Sequence, residues 1–121
     1  MKNLLKFCSL TESATGLALI SIPSIVLQLL FGEEVYGLAL TISRFAGICL
    51  ISFGIACWPS EQFIQALRSM SIYNLLVAFF FIYIGLNSSL VGILLWPVAT
   101  IHFVLSVLLI RELQLQKRKS V

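Results

Sequence analysis

The sequence is short of charge before anything else. It contains no aspartate, one histidine, three cysteines and three prolines, and only 11% of its 121 residues are charged. A typical soluble domain carries roughly 25% charged residues. A single histidine, His102, with no second ligand at a similar position gives poor grounds for a metal or haem centre, so no metal or cofactor is expected. No serine, histidine and acid stand at a catalytic spacing, and the glycines form no phosphate-binding loop after a strand, so no catalytic residue is assigned. Cys8, Cys49 and Cys57 form no C-x-x-C pair, which removes thioredoxin-like and zinc-ribbon chemistry. Cys49 and Cys57 stand about 12 Å apart along a helix, too far for a disulfide, and read as buried small apolar residues.

What is abundant is apolar surface. Hydrophobic residues make up 60% of the chain, more than a soluble domain of this length could hide, since small domains bury only about two-thirds of their surface. An ordinary soluble protein, a disordered chain and a nucleic-acid-binding domain are all excluded, and the bilayer is the expected solvent. A helix needs about 20 apolar residues to cross roughly 30 Å of hydrocarbon. Residues 13–32 meet that requirement, and residues 38–58 meet it again with one charge, Arg44. Residues 69–110 carry no charge at all. As one helix they would reach about 63 Å, so the turn-rich Gly85-Leu-Asn-Ser-Ser89 must divide them.

The expected fold is therefore all-α. It is a polytopic membrane protein, an antiparallel bundle of four transmembrane helices in one domain over residues 1–121. The helices are expected near 11–31, 38–58, 69–86 and 89–110, followed by a basic tail over 111–121. Short connections make sequential helices antiparallel neighbours. Pro23 and Pro97 are expected to kink the first and fourth helices. Lys2 and Lys6 resemble the start of a signal peptide, but the polar run from Ser9 to Ser13 interrupts it, so an uncleaved first helix is expected.

Seven of the eight basic residues fall on one side of this topology: Lys2, Lys6, Arg68, Arg111, Lys117, Arg118 and Lys119. The other side carries Glu33 and Glu34. That bias predicts both termini on the cytoplasmic face of a bacterial inner membrane. Lys117, Arg118 and Lys119 are expected to bind anionic lipid headgroups at about 1 kcal/mol per basic residue. Trp58 reads as an interfacial anchor, and the shared pattern G-I-x-x-W-P at Gly54–Pro59 and Gly92–Pro97 raises a duplication of two hairpins as one option. Ser43-x-x-x-Gly47 and Ala14-x-x-x-Ala18 read as small-residue contacts that let helices approach closely.

Polar residues inside hydrocarbon are costly and usually face a bundle interior or cavity. Four are singled out. Arg44 is placed about 6 Å toward the outer side of the midplane, where it can snorkel to an ion pair with Glu33 or Glu34. Asn74 and His102 are placed about 4–5 Å toward the inner side, with Ser52 and Tyr73 close in depth, and a hydrogen-bonded interhelical contact is expected. Glu12 is placed nearer the cytoplasmic edge. A proton path using His102 and Glu12 is the competing role for this group.

Several phrases carry a resemblance: Leu10-Thr-Glu-Ser-Ala-Thr-Gly16, Arg44-x-x-Gly47, Gly54-Ile-Ala-Cys-Trp-Pro59, Tyr73-Asn74, and Leu94-Leu-Trp-Pro97 with His102 five residues on. Together they resemble small bacterial inner-membrane proteins of this length that have no assigned function. Helix 2 is more distantly similar to DoxX-like four-helix membrane proteins, which implies a respiratory or redox accessory role. The absence of paired cysteines departs from that role. The leading functional expectation is a non-enzymatic accessory or packing subunit, self-associating or joined to another membrane subunit. The alternatives are an oligomeric small-solute or proton-coupled transporter and a quinone-linked redox accessory. They differ in what they ask of the fold. A packing protein pairs off its polar groups with no cavity; a transporter lines a cavity with Arg44, Glu12 and His102; an enzyme or quinone site sets convergent polar groups beside an apolar pocket.

Overall fold

Long uncharged runs with small residues at the contacts produce five helices and no strand in the computed structural model, which describes residues 2–121. They are α1 (Lys2–Ser21), α2 (Pro23–Phe31), α3 (Leu38–Ala56), α4 (Phe63–Asn87) and α5 (Leu95–Lys119). Three of them, α3, α4 and α5, are long and apolar enough to cross a membrane, and α1 with α2 makes a fourth candidate if the bent pair is one span. This all-α architecture fits a multi-pass helical membrane protein. At most 28% of the most apolar window of any of the three long helices is buried, so most of their side chains face outward. In a bilayer that is no penalty, because lipid is as apolar as leucine.

The first expected helix is not the one that forms. Residues 11–31 do not run as one kinked helix. α1 starts at Lys2, and the chain breaks at Ile22, where α2 departs at 111°. Pro23 opens α2 at the position where a missing N–H costs nothing. The break frees carbonyls at the end of α1. One of them, Ile20 O, accepts a hydrogen bond from Arg44 Nε at 3.3 Å. The far end of α2 is held by the chain before α5: Gly92 N–H donates to Leu30 O and Leu94 N–H to Leu29 O, both at 2.9 Å. Gly92 lies so close to the Leu29 carbonyl that a Cβ there would collide with backbone.

The fourth helix also differs from expectation. α5 begins at Leu95 and continues to Lys119, so most of the expected tail is helical. Pro97 falls in its first turn, where no backbone partner is lost, and starts the helix without kinking it. The two Trp-Pro pairs thus follow the end of α3 and open α5, and do not mark equivalent depths.

Packing joins α1 to α3 and α4 to α5, in two antiparallel pairs. Sequential α3 and α4 are not close backbone neighbours, although the Phe53 and Tyr73 rings meet with centroids 4.9 Å apart. In the first pair Gly16 and Gly47 face each other, and an added Cβ on either would lie 2.5 Å from the other's carbonyl oxygen. Gly54 packs on Ser9 and Ser13 in the same way. The small residues used by α1 are therefore Ser9, Ser13 and Gly16, while Ala14 is exposed. Cys49 is exposed as well, against the expectation of burial, whereas Cys8 and Cys57 are buried, and all three are free thiols.

One apolar cluster ties the two pairs together. Leu5 and Cys8 of α1 join Cys57 after α3, Leu67 and Met70 of α4, and Leu109 of α5. These are the start of α1, the end of α3, the start of α4 and the lower half of α5. The seven basic residues counted above belong to those same ends, so the fold gathers them at one end of the molecule.

Candidate functional site

Above that cluster the two helix pairs separate and leave a cleft of about 420 Å³. All five helices contribute to its wall, and the wall is mainly apolar, with Leu19, Val26, Val77 and Val98 among its residues. Five lining residues carry polar side chains: Thr11, Glu12, Thr15, Tyr73 and His102.

Glu12 sits midway along α1, because that helix begins at Lys2. Twenty residues give α1 a length of about 30 Å, so Glu12 lies about 15 Å from its start. It is buried to 3% exposure. Its Oε2 accepts a hydrogen bond from the Tyr73 hydroxyl of α4 at 2.8 Å, and Oε1 has no hydrogen-bond partner among the described residues. Burial of a carboxyl group in such surroundings is expensive unless it is paired. The tyrosine supplies one partner.

Next to Tyr73, the fully buried Asn74 bridges two helices. Its Nδ2 donates to Met70 O one turn back at 2.9 Å, which turns Oδ1 toward His102 Nδ1 at 2.8 Å. An amide oxygen only accepts, so His102 Nδ1 carries the hydrogen. In the neutral ring Nε2 is then an acceptor. The His102 ring stands edge-on to Tyr73 with centroids 6.0 Å apart and lies 6.3 Å from Phe81. The residues Glu12, Tyr73, Asn74 and His102 thus form one connected set across α1, α4 and α5.

Sequence reasoning singled out Glu12, Asn74 and His102, and the fold brings all three together. Tyr73 is expected from the sequence as the neighbour of Asn74 and a partner for His102, and its role as the link to Glu12 depends on how α1 docks on α4. Arg44 is not part of the set. It is exposed on α3, and its hydrogen bond goes to the broken end of α1. The expected pairing of Arg44 with Glu33 or Glu34 gives way to that backbone contact. Glu34 instead accepts from the hydroxyl of Tyr36, a bond that raises the pKa of this exposed phenol above its usual value. Ser52 also stays apart, donating to Ile48 O on its own helix at 2.9 Å. Among the described residues no three of His, Cys, Asp and Glu converge in a way that could hold a metal ion.

Comparison of the chain with family models, curated proteins and solved structures finds no match. The chemistry of the cleft therefore carries the functional argument by itself.

Proposed function

We propose that the chain is a small bacterial inner-membrane protein that crosses the bilayer four times and holds a lipophilic small molecule in the cleft between its helix pairs. The broken pair α1–α2 is the first crossing, with α2 turned toward the outer interface. Both termini are cytoplasmic. Gathering of seven basic residues at one end supports this orientation, and Trp58 and Trp96 near opposite ends of the bundle, where aromatic belts form, support the crossing itself. Lys117, Arg118 and Lys119, the last residues of α5, would then lie at anionic headgroups. A C-terminal fusion at residue 121 is expected to fluoresce as a green fluorescent reporter and to be inactive as alkaline phosphatase. An active phosphatase at that position would reverse the orientation.

The observation that carries the binding function is the cleft itself. A protein that only packs has no need of a cavity of about 420 Å³, a size within the ordinary range for small-molecule sites, roughly 300–1,000 Å³. Polar groups converging at one part of an otherwise apolar wall suit an amphiphile, with its head at Glu12, Tyr73 and His102 and its tail along the valines and phenylalanines. The role is that of a non-enzymatic accessory that binds such a molecule. Arg44 lies outside the cleft, so a transport path lined jointly by Arg44, Glu12 and His102 is not the arrangement this geometry favours.

Filling the cleft tests this. Val98→Trp adds a bulky ring to its wall and replaces none of the polar set. The purified variant is expected to lose the blue-shifted emission of a lipophilic, environment-sensitive dye that the wild type displays, while keeping its helical content. Equal dye binding by the two proteins would refute the cleft as a binding site.

A further inference from the structure

We infer that the molecule held in the cleft is a lipophilic cation, an amphiphile with a protonated amine as its head, an inference that rests on the cleft being a binding site. It comes from accounting for every polar side chain in the wall. Thr11 donates its hydroxyl hydrogen to Phe7 O at 2.8 Å, and Thr15 donates to Thr11 O at 2.9 Å. Tyr73 donates to Glu12, and His102 Nδ1–H donates to Asn74. With Glu12 ionised and His102 neutral, every side-chain donor of the wall is therefore committed within the protein. What remains to meet a ligand is one carboxylate oxygen, Glu12 Oε1, the Nε2 lone pair of His102, and hydroxyl lone pairs. The wall offers acceptors and lacks free donors.

Charge points the same way. No lysine or arginine lines the cleft, so with His102 neutral no cationic side chain of the wall offsets an ionised Glu12. A ligand ammonium would do so through charge-assisted hydrogen bonds, which are about twice as strong as neutral ones. Its remaining N–H groups would meet His102 Nε2, and the faces of Tyr73, Phe80 and Phe81 add cation–π attraction. A quinone or ketone head brings only acceptors to a wall that, with Glu12 ionised, also brings only acceptors. A fatty carboxylate meets Glu12 as a like charge. The donor inventory thus separates three amphiphile classes that the shape of the cleft alone would admit.

The test uses the full chain in detergent with three probes of similar hydrocarbon length: decylammonium, 2-undecanone and decanoate. Decylammonium is expected to bind at least about tenfold more tightly than either of the others, the scale of a hydrogen bond to a charged partner. Glu12→Gln should remove about that factor for decylammonium and leave the ketone bound no more weakly than before. The probe ranking on the wild-type protein stands even if Glu12→Gln fails to fold. If the ketone or decanoate binds as tightly as decylammonium, or if a folded Glu12→Gln protein keeps full affinity for the ammonium, the cation assignment falls and cleft binding survives. If none of the probes binds, or if Val98→Trp binds decylammonium as the wild type does, both fall.

Discussion

Replacing Gly47 by leucine is expected to break the α1–α3 pair and to lower the yield of folded protein sharply. The Cβ alone would stand 2.5 Å from Gly16 O. That neighbour is helix backbone, which cannot swing aside as a flexible side chain could. Overpacking a well-fitted contact costs typically about 1–3 kcal/mol, and a leucine at a backbone-to-backbone contact belongs at or above the top of that range. Gly47→Ala should already show a measurable loss. Ala46→Leu, on the adjacent exposed position, should stay within about 0.5 kcal/mol of wild type, as surface changes usually do. Unfolding by SDS in mixed micelles, followed by circular dichroism, gives the comparison. Equal stability of the Gly47→Leu and Ala46→Leu proteins would contradict the observed helix contact. The effect reaches the cleft as well. Gly16 and Glu12 lie one turn apart on α1, so a displaced α1 carries Glu12 away from Tyr73.

Asn74→Leu is expected to have the second largest effect, through hydrogen bonding and not through volume. It leaves the Nδ1–H of His102 without its acceptor, and an unpaired buried polar group costs about 1–3 kcal/mol. His102→Phe strands the other partner, since Asn74 is fully buried, and should cost a similar amount. The double variant Asn74→Leu/His102→Phe removes both partners and is expected to recover most of the loss, because replacing a bonded pair by apolar groups can be nearly neutral. A double-mutant cycle should therefore show a coupling of about 1–2 kcal/mol, within the range for residues in direct contact. Additive single effects would mean that the bond contributes nothing. Nitrogen NMR of the imidazole provides a second readout. The wild-type ring should hold its hydrogen on Nδ1, and Asn74→Leu should release the tautomer preference.

The same two sites show what can be read from residues and what cannot. Asn74 and His102 were expected at one depth because each helix could be measured from its own ends, and they do meet. Lys2 and Lys6 look like flanking charge, yet they lie within α1, which starts nine residues before the apolar stretch expected near 11–31 and so holds Glu12 at mid-length. Pro23 could be recognised as an interruption, but its outcome could not. A kinked helix and a broken one both lose backbone hydrogen bonds at proline. The difference lies in what holds the two pieces apart, here Arg44 on the freed Ile20 O and the chain before α5 on the far end of α2. Those partners are 24 and more than 60 residues away, beyond any local pattern. Ala14 and Ala18 had the same spacing as a true contact pair, and only docking on Gly47 selected Gly16.

By itself the sequence determined that the chain is helical, that its long segments are apolar enough for a bilayer, and that seven basic residues would share one end. Those properties follow from hydropathy and from length at a constant rise per residue, and both are local. Tertiary structure alone decided that α1 and α2 are separate helices, that the helices associate as two pairs, and that a cleft remains between them with Glu12, Tyr73 and His102 at its wall. These depend on which small residues come into register and where displaced backbone groups find partners. Without a hydrophobic drive between helices in lipid, close packing and hydrogen bonds choose the arrangement, and both are set by residues far apart in the chain.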